Sequence, residues 1–370
     1  MIPVNIPDVS GNEAAYLKEC IDTSWISSEG PFVRQLEEGV AAKVQRSAGI
    51  AVANGSAALD IAVAALGLGK GDEVILPSHT IISCAAAIVR QGAVPVPVDC
   101  DPHSWNMDLN KVEEAITERT RAVMAVHIFG LPVDMIRLEK MARKHDFFII
   151  EDAAQAHGMF IDSRPCGSFG DISTFSFYPN KLITTGEGGM IVTDNDKLAE
   201  RCRSLRNLCF QQKRFVHEEL GWNYRMSNLQ AAVGVAQLER WDGLAVRRRQ
   251  VGALYQQEFE GVKNIQLPEK NLPYAENAYW VFGVVLDEDF PVDAESVMKK
   301  MGEHKIGTRP FFWPMHEQPV LLNMGLCKDI SCPEASRIAR RGLYLPGGAG
   351  ITDDQIMEAA ATFRQVLTSF

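Results

Sequence analysis

The chain has 370 residues, 46% of them hydrophobic, enough for a sizeable buried core and, on length, about two domains. A formal charge of −10 and a pI near 5.4 leave no basic field to release counterions from a phosphate backbone, which excludes non-specific nucleic-acid binding. Residues 1–8 carry neither a basic nor an apolar leader, and no apolar run reaches the roughly 20 residues that span a bilayer, so a cytoplasmic protein without membrane association is expected.

Cysteines at 20, 84, 100, 166, 202, 209, 327 and 332 form no C-x-x-C pair, so neither a zinc site nor a redox dithiol is signalled, and reduced structural thiols are expected. Trp25-Ile-Ser-Ser-Glu-Gly30 has turn composition and precedes a helical pattern carrying Phe32, Val33, Leu36 and Val40, so it reads as a loop between helices. Residues 49–54 read as a strand. Gly55-Ser56-Ala57 then opens an alanine-rich helix that stops at the glycines 67 and 69. That helix start is either a plain serine cap or a phosphate cup, in which free N–H groups, the positive dipole end and a close backbone approach at Gly55 meet an anion.

Further strands are predicted at 73–77, 94–99, 122–128, 147–152, 172–177 and 188–192, making seven, separated by helix-like segments or turns. This alternation argues an α/β domain with a mostly parallel sheet covered on both faces. No G-x-G-x-x-G follows any of the strands, which weighs against a nicotinamide-binding domain. The 147–152 run is apolar until it ends in Asp152, the position where a parallel sheet presents ligand groups. The 172–177 strand breaks at Pro179 and displays Lys181 before a glycine-rich turn. A lysine there is ordinarily solvated, but burial behind the preceding aromatic run makes its amine lose its proton near neutral pH and become nucleophilic. A strand-end carboxylate and a displayed amine are the two groups that pyridoxal phosphate requires, one for the ring nitrogen and one for the aldehyde.

Ser227 and Gln230 have capping-box spacing at the head of a helix through Ala231, Val233, Val235 and Leu238. Arg247-Arg248-Arg249 reads as a solvated helix face without chemistry. The strand–helix alternation ends in this region, which places a boundary between a large domain, 1–245, and a small α+β domain, 246–370. The small domain is expected to hold a strand over 279–286 and helices over 294–301 and 353–366. Its loop Gly307-Thr-Arg309-Pro-Phe-Phe-Trp-Pro-Met-His316 is aromatic, proline-rich and carries two possible anion donors.

From Trp25 to His316 the chain resembles the DegT family of sugar-nucleotide aminotransferases, fold-type I pyridoxal phosphate enzymes. The resemblance implies that Lys181 holds pyridoxal 5′-phosphate through a Schiff base and moves the proton, and that Asp152 keeps the ring nitrogen protonated. It implies cofactor contacts from Gly55, Ser56, Ala57, Gln155 and Ser176. Asn223, in Asn223-Tyr-Arg225, contacts the cofactor of a neighbouring subunit in the family, which implies a homodimer with shared active sites. Trp25, Ser27, Arg225, Arg309 and His316 become candidates for substrate contact, with Arg225 or Arg309 holding the carboxylate of the donor, L-glutamate. The acceptor implied is a nucleotide-linked 4-keto-6-deoxy sugar; Asn180-Lys181 and the 309–316 loop point to GDP-4-keto-6-deoxymannose, with dTDP- or UDP-linked keto sugars as alternatives. The family usually places an aromatic residue against the cofactor ring where this chain has Ile81, and His79 is either its substitute or, on the favoured reading, a partly exposed loop histidine. A dehydratase on the same scaffold has histidine in place of the lysine, and Lys181 argues against it. The retained set of Asp152, Gln155, Ser176, Lys181 and Asn223 argues against a non-catalytic sensor.

Overall fold

The computed structural model describes every residue except Arg214. Seven strands form the large sheet: β1 (Ala48–Val52), β2 (Glu73–Pro77), β3 (Val94–Val98), β4 (Thr120–Val126), β5 (Phe148–Asp152), β6 (Ile172–Ser176) and β7 (Gly189–Thr193). Their spatial order is β1-β7-β6-β5-β4-β2-β3. The run from β3 to β6 is parallel, and β7 is antiparallel to both β1 and β6. β1, β2 and β7 are buried along their whole length, which is why they read as continuous apolar runs rather than alternating ones. Successive side chains still point to opposite faces: Val74 and Leu76 enter one core while Ile75 enters the other, and Met124 and Val126 are divided in the same way from Val123 and Ala125.

The smaller sheet orders Ile265–Gln266, Phe282–Leu286, Gly342–Leu345 and Arg309–Pro310. The helices Ala294–Glu303 and Asp353–Thr368 lie where the sequence places them. Their core is built on Tyr255, Phe259, Phe282 and Phe363. The 18-residue helix Trp241–Glu258 runs unbroken through residue 245. Its Leu244 and Ala245 pack into the large core, whereas Val251 and Tyr255 pack into the small one, so it passes from one core to the other within two turns.

The loop after β4 fixes how the small sheet meets the large one. Gly130 has φ of +97°, its carbonyl accepts from Ala278 N–H at 2.8 Å, and a Cβ there would lie 2.4 Å from the Trp280 nitrogen. Only glycine permits that approach. Tyr279 takes φ of +51° at the same junction, so the strand expected from 279 begins at Phe282, and Trp280 is turned toward the ends of β5 and β6.

Candidate active site

The carboxyl ends of β5 and β6 open into a cavity of about 610 Å³ lined by Gly55, Ser56, Asp152, Gln155, Ser176 and Lys181, among others. Asp152 is 3% exposed; its Oδ1 accepts from Ala154 N–H at 3.0 Å, and Cys84 Sγ lies 3.5 Å from Oδ2. Burial raises its pKa, while the Ala154 N–H and the charge of Lys181 oppose the rise. Glu151, one residue earlier, points the other way. There it accepts from Gly167 N–H, Phe169 N–H and Ser173 Oγ and bonds His127 Nε2, which anchors the strand behind Asp152.

Lys181 sits on a tight connection from β6 to β7. Phe177 N–H donates to Gly188 O, Thr185 N–H to Phe177 O and Lys181 N–H to Tyr178 O, while Gly186 takes φ of +78°. The amine lies 3.9 Å from the centroid of the Trp280 ring. The cavity reaches this side chain, so it keeps some exposed surface, yet protein surrounds it on every other side. Burial brings its pKa down to about 8; Asp152 opposes that shift and the Arg248 guanidinium adds to it. A substantial fraction of neutral amine is therefore present near pH 8, as a nucleophile requires.

At the other end of the cavity the helix Gly55–Ala65 begins. Its cap is Asn54, whose Oδ1 accepts from Ala57 N–H at 2.8 Å, so the start is not a serine cap. Ala57 N–H is thereby committed, which leaves the backbone of Gly55 and Ser56 to meet an anion. Ser56 Oγ shares a 2.8 Å hydrogen bond with Ser83 Oγ. A Cβ on Gly55 would stand 2.7 Å from Ser176 Cβ, so the glycine keeps this corner open. Between the two ends, Gln155 Oε1 accepts from Phe129 N–H at 2.8 Å, which orients the amide and leaves its Nε2 hydrogens for the cavity. Thr174 Oγ1 lines the same space, is buried and has no hydrogen-bond partner among the described residues. An anion corner, a central amide donor, an unsatisfied hydroxyl, a strand-end carboxylate and an amine of lowered pKa are the groups pyridoxal phosphate needs, and the residues present fit it.

Several residues expected at the site lie elsewhere in the single chain. Asn223 is exposed and its backbone bridges to Asn207; Arg225 bonds the Asn207 side chain and lines a separate polar cleft. Trp25 and Ser27 are exposed, and their carbonyls accept from Asn228. Arg309 is exposed in a cleft of about 250 Å³ shared with Tyr178, Asn180 and Tyr344, residues that also line the Lys181 cavity. His316 does not face the cavity: its Nδ1 bonds Ser78 Oγ at 2.7 Å and its Nε2 faces Ser336 Oγ at 3.3 Å, pinning the 310–318 loop to the end of β2. His79 is fully buried rather than partly exposed, stacked on Phe311 with ring centroids 5.5 Å apart, and burial brings its pKa down to about 4. Ile81 does line the cavity.

The reading of the arginine run as solvated is corrected at Arg248, which is 4% exposed. It donates to Trp280 O, Asn180 O and Lys181 O. The stripe Leu244, Arg248, Val251, Tyr255 at helical spacing carries the signal that places it inward. Tyr178, Trp280, Phe312 and Tyr344 are cavity residues that sequence reasoning missed, because they arrive from the lysine loop and the small domain rather than from a recognisable motif.

The sheet order, with the amine and the carboxylate at adjacent strand ends, defines a fold-type I transferase built for pyridoxal phosphate. Over residues 7–364 the chain matches the model of the DegT/DnrJ/EryC1/StrS aminotransferase family, and it belongs to that family. It is an aminotransferase and pyridoxal 5′-phosphate is its cofactor. It is 42% identical over 369 residues to GDP-perosamine synthase of Caulobacter vibrioides, covering 99% of this chain and 98% of the relative. With the GDP-perosamine synthase of Vibrio cholerae the identity is 38%, over 97% of each. Among solved structures, DesV of S. venezuelae superposes with a TM-score of 0.91 at 32% identity, covering 99% of this chain and 98% of DesV. Among the described residues no helix is long and apolar enough to cross a membrane.

Proposed function

We propose that the chain transfers the amino group of L-glutamate to C4 of GDP-4-keto-6-deoxymannose, giving GDP-perosamine for surface polysaccharide (O-antigen) synthesis. The observation that carries this reading is the near-full-length likeness to two GDP-perosamine synthases at 38% and 42% identity. The protein works in the cytoplasm as a homodimer, with Asn223 of each subunit reaching the cofactor phosphate of the other.

When bound, pyridoxal phosphate supplies an electron-withdrawing ring that acidifies the amine-bearing carbon of the donor. Lys181 Nζ would hold the cofactor covalently and, once free, would carry the proton from the donor carbon as a general base. Asp152 would keep a proton on the ring nitrogen through a buried carboxylate, Gln155 Nε2 would donate to the ring oxygen, and Gly55, Ser56 and Ser176 would hold the phosphate. Of the two arginines open to meet the glutamate carboxylate, Arg309 adjoins the Lys181 cavity and, among the described residues, its guanidinium donates only to the neighbouring Thr308 carbonyl, which supports the assignment to Arg309. Trp25, Ser27 and Arg225 meet the sugar nucleotide from across the subunit boundary.

A site built to hydrogen-bond a guanine edge rejects a base that leaves its polar groups unpaired. Steady-state kinetics on GDP-, dTDP- and UDP-linked 4-keto sugars with glutamate tests the acceptor. The GDP sugar is expected to lead in kcat/KM by tenfold or more; a tenfold preference for a dTDP or UDP sugar contradicts the acceptor and leaves the aminotransferase chemistry standing.

A further inference from the structure

Arg248 is a cation inside the protein, and among the described residues no acidic group offsets its burial. Its Nη1 donates to Trp280 O at 2.7 Å, and its Nη2 donates to Asn180 O at 2.8 Å and Lys181 O at 3.1 Å. Trp280 Nε1 donates to Asn180 O at 2.8 Å, and the Lys181 amine rests on the Trp280 ring. Arg248 Nε is buried and unpaired among the described residues. One guanidinium from the helix that joins the two cores thus bonds both the lysine loop and the segment leading into Phe282–Leu286. A buried cation that meets only carbonyl oxygens is costly to keep, and packing alone does not require one there.

We infer that Arg248 is a positioning residue, one that fixes Lys181 against Trp280 and holds a permanent positive charge behind the lysine amine. Carbonyl partners tie the loop down without cancelling the charge, whereas a carboxylate partner would neutralise it. A permanent cation beside an amine favours the neutral, nucleophilic form. The groups facing Lys181 come from every element around it: Asp152 on β5, Cys84 on the helix Ile82–Arg90, His157 beyond β5, Tyr178 and Glu187 on the lysine loop, Tyr344 on Gly342–Leu345, and Arg248. Asp152 acts to hold the amine protonated; burial and Arg248 act against it. The inference rests on the assignment of Lys181 as the cofactor lysine, and the experiment separates the two.

The test compares Arg248→Lys, which keeps a titratable cation but loses the fork, with Arg248→Gln, which keeps a donor but has no charge at any pH. In the full-length, cofactor-free chain, the pH dependence of Lys181 acetylation by limiting acetic anhydride, which loses acetate as the amide forms, is read by peptide mass spectrometry and gives the midpoint of amine deprotonation. Arg248→Gln is expected to move that midpoint upward by about half a pH unit or more, and Arg248→Lys to move it upward by less, because an ammonium buried there keeps its charge only in part. Both variants are expected to lose at least tenfold in kcat, because neither rebuilds the three-carbonyl fork. A wild-type midpoint in Arg248→Gln, or a wild-type kcat in both, overturns the inference. If either variant fails to fold by circular dichroism, the other still reports, through its midpoint or its kcat. Borohydride reduction of the wild-type holoenzyme followed by peptide mapping tests the underlying assignment alone: a label on another lysine removes that assignment without touching the midpoint result.

Discussion

A lysine amine enclosed by protein disfavours its own charge, and Lys181 carries that cost for its chemistry. Its folded pKa of about 8 lies below the ordinary 10.5, so between these values the unfolded chain binds more protons and stability rises with pH. Below about pH 8 the strain is fully present. Lys181→Met in the cofactor-free chain is therefore expected to raise Tm at pH 7, with the gain shrinking as pH approaches 10.5; a gain that does not change with pH would mean that packing, not charge, is its source. In the loaded enzyme Lys181→Ala is expected to lose the visible absorption band of the lysine-bound cofactor and all but about 1% of turnover, since no other amine lines the cavity among the described residues. Asp152→Asn is expected to lower kcat by about two orders of magnitude with the fold retained, checked by kinetics beside circular dichroism. Both residues were legible because each sits where an apolar run stops. Arg248 was not, since three consecutive arginines look alike until helical phase is read against Leu244, Val251 and Tyr255.

At the scale of elements, the start of the helix Gly55–Ala65 carries the most testable geometry. Gly55→Ala is expected to weaken cofactor affinity by tenfold or more, measured by equilibrium titration of the full chain, because the new Cβ meets Ser176 Cβ at 2.7 Å. Gly243→Ala provides the contrast. A Cβ there meets nothing within 4 Å in an exposed helical turn, so it is expected to stabilise by about 0.5–1 kcal/mol without affecting cofactor binding. Equal effects of the two substitutions would mean that the cup at Gly55 is not built around a bound group. The strands of the large sheet were legible to within about two residues because strands buried on both faces read as apolar runs. The cap was not, since Asn54 and Ser56 are both good caps and only the backbone conformation selects Asn54, freeing Ser56 for the cavity. His79 and His316 were misplaced for a related reason. His79 packs on Phe311 and His316 bonds Ser78, partners that lie far off in sequence, and no local pattern reports a contact across more than two hundred residues.

The whole molecule brings elements of both sheets to the Lys181 cavity, and a single chain leaves Asn223 outside it. Mixing inactive Asn223→Ala with inactive Lys181→Ala is expected to recover activity, because a hybrid dimer contains one site with both groups intact; no recovery after verified subunit exchange would contradict shared sites. The large sheet and the chemistry at its strand ends could be read from alternation and motif. The contribution of the segments around the smaller sheet could not, because Trp280, Phe312 and Tyr344 reach the cavity through the Gly130 junction and the His316 anchor, both set by long-range packing. The most direct test of the account as a whole is a two-step spectral titration of the holoenzyme. Glutamate alone is expected to bleach the visible band stoichiometrically, and GDP-4-keto-6-deoxymannose, added after removal of glutamate, is expected to restore it with release of one GDP-perosamine per site. A band that glutamate leaves unchanged, or that the keto sugar does not restore, would contradict it.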